Sequence, residues 1–138
     1  MDSESKIKYL EMIQGVINRL ANNSFMLKGW AVTLVAGIFV LASKDTDKLY
    51  LLVAFIPAIF FWFLDSYYLR QERLYRSLYE KVITDDKGVT TFSLKAKKED
   101  FDNKKNGYLR CVMSITEIWF YIPLIAVCGM LIALTHCF

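Results

Sequence analysis

Histidine is almost missing from this chain, cysteine is sparse, and basic residues nearly vanish from one of its segments. The single histidine is His136, and Cys111, Cys128 and Cys137 form neither a CxxC pair nor a Cys/His spacing. That leaves no ordinary zinc site and no histidine-based acid–base chemistry. The six glycines never gather into a phosphate-cradling loop, and no nucleophile elbow is present. Glu72, Glu80, Asp85 and Asp86 read as solvated helix and turn acids rather than as a catalytic pair. The expectation is a protein that is not an enzyme and carries no cofactor or metal.

What the chain has in excess is apolar length. Of its 138 residues, 55 % are hydrophobic, and mean hydropathy is +0.30, high for a soluble domain of this size. Three apolar stretches, Ser24–Ala42, Leu49–Leu69 and Met113–Thr135, each approach the ~20 residues needed to cross a bilayer. Eleven of the 17 Lys and Arg lie between the second and third stretches, from Arg70 to Arg110. Four precede or open the first (Lys6, Lys8, Arg19, Lys28), and only Lys44 and Lys48 separate the first from the second. Positive charge marks the cytoplasmic side. The N-terminus and middle segment are therefore expected in the cytoplasm, and the Lys44–Lys48 turn and C-terminus outside. The cysteines then lie at different depths and are not expected to pair. Leu41-Ala42-Ser43 follows an apolar run, as at a signal-peptide cleavage site. The residues ahead of it form a patterned helix rather than a short basic region, so cleavage is not expected.

The expected fold is an all-α membrane protein with three transmembrane helices, an N-terminal amphipathic helix and a helical cytoplasmic extension of the second span. Its segments are residues 1–23 (amphipathic helix), 24–69 (two spans and an outer turn), 70–112 (cytoplasmic stalk and loop) and 113–138 (third span). Leu10, Ile13, Ile17 and Leu20 recur at helical spacing, broadened by Ile7 and Val16. That stripe has three possible partners: the inner leaflet, copies of itself around an oligomer axis, or the chain's own stalk. Asn22-Asn23-Ser24 reads as a break, with Ser24 as N-cap of the first span. Leu74, Leu78 and Val82 continue the second span as a stalk helix beside Tyr75 and Tyr79. Thr84-Asp85-Asp86-Lys87-Gly88 reads as a turn, Val89–Leu94 as a short strand and charge-rich Lys95–Asn106 as a mobile loop or a frayed helix returning to the third span.

Within the spans, Gly29, Thr33 and Gly37 recur every four residues, as do Ala54 with Ala58 and Gly129 with Ala133. Such stripes let helices approach closely, either inside one subunit or between subunits. Pro57 removes a backbone donor mid-span and predicts a kink, read as shape more than as a gating hinge. Lys28, Asp65 and Glu117 fall at similar depth near the inner ends of their spans. They read as a structural salt bridge, as a snorkelling lysine, or as an acidic layer at the inner mouth of a cation pore. Arg70, Arg73, Arg76 and Lys81 interleave with Tyr67, Tyr68, Tyr75 and Tyr79. This mixture suits either an aromatic belt with positive-inside flanks or a site for an anionic nucleotide or oligonucleotide.

The run Ile17-Asn-Arg-Leu-Ala-Asn-Asn-Ser24 into Lys28-Gly29-Trp30 carries a resemblance, together with Phe61-Trp-Phe-Leu-Asp65 and Tyr67 through Tyr79. Over about residues 10–82 the chain resembles a group of small bacterial three-pass membrane proteins, and its architecture and size resemble the SLATT-type membrane effectors of anti-phage systems, among them the channel-forming effector of the Hailong defence system. The resemblance implies a homo-oligomeric channel in the bacterial inner membrane, acting in anti-phage defence. It also implies gating by a nucleotide or oligonucleotide made by a partner nucleotidyltransferase. It carries no established site residue onto this chain. A membrane scaffold or accessory subunit that recruits a cytoplasmic partner is the main alternative, and a small transporter is a third reading.

Overall fold

The computed structural model describes residues 2–44, 49–84, 92–96 and 107–137. Every regular element among them is an α-helix: α1 (Ser3–Ala42), α2 (Leu49–Val53), α3 (Phe55–Thr84), α4 (Tyr108–Val112) and α5 (Ile115–Cys137). Three stretches, Ser3–Ala42, Leu51–Thr84 and Ile115–Thr135, are long and apolar enough to cross a membrane.

Helix α1 departs from expectation by running without a break through Asn22-Asn23-Ser24. Asparagine and serine cost only tenths of a kcal/mol each in a helix interior, and neither removes a backbone donor. With helix already formed on both sides, no nucleation cost is saved by stopping. The helix opens after Asp2, whose carbonyl accepts the Lys6 amide at 3.0 Å. It closes where the Ser43 amide meets the Phe39 carbonyl at 3.0 Å.

The second stretch divides where the first does not. A turn at Ala54 separates α2 from α3, and the Ala54 amide bonds to the Leu51 carbonyl at 3.2 Å, one residue short of α-helical spacing. Pro57 explains the position. Its ring crowds the carbonyl four residues earlier, that of Val53, and it offers that carbonyl no N–H. The expected kink is therefore a short interruption one turn ahead of the proline. Helix α5, by contrast, carries Pro123 without interruption.

Two compact units divide the chain, Met1–Ser24 with Tyr67–Cys111 and Phe25–Ser66 with Val112–Phe138. In the first, Tyr9, Ile13 and Ile17 form one face of α1 and pack with Leu78 and Val82 of α3, flanked by Leu10, Tyr75, Tyr79 and Ala96. The N-terminal stripe is thus covered by the chain's own stalk helix. The leaflet and self-association readings of that stripe give way to it, and Ile7, expected on the stripe, is exposed. Leu74, Leu78 and Val82 are buried as a row, as the periodicity predicts. Tyr9 Oη donates to the Ser93 carbonyl at 2.6 Å and Tyr75 Oη to the Leu94 carbonyl at 2.9 Å, so two tyrosines hold one irregular segment. The Phe92 ring meets Tyr9 edge-on at 5.5 Å. Residues Phe92–Ala96 form no strand. The expected turn over 85–88, the rest of the expected strand and most of the charged loop lie outside the described residues.

The second unit has a core of small side chains. Ala31, Ala54 and Ala58 are fully buried, and Val35, Ala58 and Cys128 pack among Phe39, Phe55, Leu124 and Ile125. Close approach of these helices is achieved with alanine. The glycine stripe lies elsewhere: Gly29, Thr33 and Gly37 are exposed, and a Cβ built at Gly29, Gly37 or Gly129 meets nothing within 4 Å. Ala133 is exposed as well.

Candidate functional site: a buried ionic cluster between the spans

Charge inside a membrane-crossing segment costs several kcal/mol unless it meets a partner. Lys28 of α1, Asp65 of α3 and Glu117 of α5 meet one another. The Lys28 ammonium donates to Asp65 Oδ2 and, at 3.2 Å, to Glu117 Oε1. Both carboxylates are buried, at 0 % and 1 % side-chain exposure, whereas Lys28 retains 20 %. The three residues singled out from sequence are one cluster, each from a different helix.

Local structure explains how they converge. Ser114 precedes α5, its carbonyl taking the Ile118 amide at 2.9 Å, and Glu117 follows three residues on. Ser-x-x-Glu is the capping-box spacing, but here Glu117 turns to Lys28. Its place in the first turn still sets a carboxylate at the positive end of the helix dipole. One turn later on the same face stands Tyr121, fully buried, whose hydroxyl donates to Asp65 Oδ2 at 3.1 Å and approaches the Phe61 carbonyl at 3.3 Å. The indole of Trp62 stacks on the Tyr121 ring at 6.0 Å, and its Nε1 donates to the Val112 carbonyl at 3.2 Å. That bond ties α3 to the C-terminal end of α4. Buried Ser66 spends its hydroxyl on the Trp62 carbonyl at 2.8 Å. The Lys28 ammonium also lies 5.8 Å and 5.9 Å from the centroids of Phe120 and Tyr121, within cation–π range.

Tyr121, Trp62 and Ser66 were not legible as site residues. The available signal was spacing: Tyr121 is four residues after Glu117, and Ser66 adjoins Asp65 in an otherwise apolar run. One polar atom stays unmatched, Glu117 Oε2, which is buried and has no hydrogen-bond partner among the described residues.

The sequence matches no family model, and no curated protein or solved structure proved significantly similar to it. The site must be read from its chemistry alone.

The expected anion-binding residues sit on α3 in the other unit. Arg76 is committed to Glu72, with Nη2 at 2.7 Å and Nε at 2.9 Å from the same carboxylate oxygen. Arg73 Nη1 points to the buried Cys111 Sγ at 3.7 Å. Arg70 is half-buried and Lys81 exposed. Among the described residues no three His, Cys, Asp or Glu side chains gather as a metal site.

Proposed function

We propose that this chain is the subunit of a homo-oligomeric membrane channel, an effector of bacterial anti-phage defence gated by an anionic nucleotide or oligonucleotide. The observation that carries the reading is the outward Gly29–Thr33–Gly37 stripe. Thr33 returns its hydroxyl to the Gly29 carbonyl at 2.9 Å, so the stripe offers a second helix a smooth, hydrogen-bond-satisfied surface. Only 11 % of the most apolar window of α1, and the same share of α5, is buried within the chain. Gly129 and Ala133 extend the small-residue surface on α5. A stripe that packed this chain's own helices would be covered.

In this reading the Lys28–Asp65–Glu117 cluster braces the pore's inner mouth rather than facing its lumen, because the carboxylates are covered by their own chain. Arg70, Arg73 and Lys81 receive the anionic ligand, supplied by a partner nucleotidyltransferase, and Arg76 joins them when released from Glu72. The N-terminus lies in the cytoplasm and the C-terminus outside the inner membrane. The resemblance over residues 10–82 supports the defence role.

The test is ion flux from liposomes holding the purified chain. The reading expects flux that depends on nucleotide, falls with Gly29→Leu/Gly37→Leu, and loses its nucleotide dependence with Arg73→Glu. Vesicles that stay tight across a panel of nucleotides and oligonucleotides contradict it. A second reading, a scaffold recruiting a cytoplasmic partner, draws on exposed Ile83, Phe92 and Leu94. It expects tight vesicles and an unchanged phenotype for the glycine substitutions.

A further inference from the structure

We propose that Asp65 and Glu117, with the rings of Phe120 and Tyr121, form a binding site for a small monovalent cation, and that Lys28 is its tethered occupant. The site has the parts such a cation requires. Asp65 Oδ2 and Glu117 Oε1 converge on one ammonium, and two aromatic faces lie within 6 Å of it. Nothing in this set is specific to lysine. Potassium, sodium or methylammonium would meet the same oxygens and rings.

A second observation points to a ligand. Two carboxylates face a single ammonium, and Glu117 Oε2 is buried with no donor among the described residues. A buried carboxylate oxygen left unmatched costs more than the hydrogen bond it lacks, because it was stripped of water to get there. Glu117 Oε2 is therefore acceptor capacity that Lys28 does not use. The exposures indicate which member moves. Lys28 is the one that reaches the surface, on a flexible four-carbon stem, while the carboxylates are fixed at the interior. Withdrawal of Lys28 leaves a vacant, pre-formed cation seat. The occupant seen there is itself a monovalent ammonium lying beside two aromatic rings, the setting that suits a singly charged ion.

This deepens the channel reading by making a small cation and Lys28 competitors for one covered seat beside the pore's inner mouth. Binding itself requires neither pore nor oligomer, so its test and the flux test fail separately. The experiment uses the full chain in nanodiscs carrying Lys28→Gln. Its thermal unfolding is compared in KCl, NaCl or methylammonium chloride and in N-methylglucamine chloride at equal ionic strength. The midpoint rises with small-cation concentration in the variant, stays flat in the unsubstituted chain, and is flat again in Lys28→Gln/Glu117→Gln. Equal midpoints in all four salts overturn the proposal. Should Lys28→Gln fail to fold, the unsubstituted chain decides. Acylation of Lys28 by a small amine reagent, read by mass spectrometry, increases severalfold in KCl over N-methylglucamine chloride. Equal labelling in the two salts overturns the proposal just as firmly.

Discussion

Asp65 lies at the centre of the molecule's most consequential contact, because one of its oxygens takes both the Lys28 ammonium and the Tyr121 hydroxyl. Removing one member of a buried ion pair strands the other, at a cost of about 3–5 kcal/mol. Asp65→Ala should destabilise the chain by that amount, measured by unfolding in mild detergent. Replacing Lys28, Asp65 and Glu117 together with apolar residues of similar volume should recover most of the loss, since no charge is then stranded. If the triple variant is as unstable as the single one, the cluster is not a self-compensating unit. Tyr121→Phe removes one hydroxyl and leaves the stacked ring in place, so a smaller loss of roughly 1 kcal/mol is expected in the same assay. The charged members were legible because an ionised side chain stands out in an apolar run, and topology set their depths alike. Tyr121 and Trp62 were not. An aromatic residue in a span reads as lipid-facing or belt, and only the packing tells which of its edges is spent on a polar neighbour.

Helix boundaries obey weaker forces than charge burial, and here the sequence misled in both directions. Asn22-Asn23-Ser24 carries the residues that favour caps, yet α1 passes through them, because a preference of tenths of a kcal/mol does not end a helix held on both sides. Ser24→Pro would impose the missing break. It should cost about 3 kcal/mol and release the amides around residue 24 to hydrogen exchange. Unchanged protection there would show that α1 does not run continuously in solution. Pro57 was seen, but its effect falls at Val53–Ala54, where the carbonyl it fails to serve lies. The amphipathic stripe of α1 was legible as a stripe and not as to its partner. Periodicity counts apolar positions and says nothing about what covers them. Tyr9, Ile13 and Ile17 are covered by Leu78 and Val82, so Ile13→Ala should leave a cavity worth about 2–5 kcal/mol. A change of less than about 0.5 kcal/mol, typical of an exposed site, would contradict that packing.

The membrane-crossing helices enclose Ala31, Ala54 and Ala58 and leave Gly29 and Gly37 exposed, a division of labour no spacing rule anticipates. Gly29, Thr33 and Gly37 repeat with the same interval as Ala54 and Ala58, yet only the alanines are enclosed. The number of spans followed from length and hydropathy, and the structure agrees with it. Which small residues pack within the chain and which face outward depends on helix rotation, which the sequence does not encode in a readable way. A side chain at Gly29 or Gly37 starts into open space, because a Cβ at either position meets nothing within 4 Å. The double variant should therefore fold as well as the parent by thermal unfolding while losing self-association.

The most direct test of the account is the oligomeric state of the purified chain, read by native mass spectrometry from nanodiscs with bound ligands retained. The account predicts a single closed oligomer of the unsubstituted chain, able to retain a nucleotide-sized adduct, and its collapse to monomer in Gly29→Leu/Gly37→Leu. A monomer in the parent, or an oligomer indifferent to both substitutions, would contradict it.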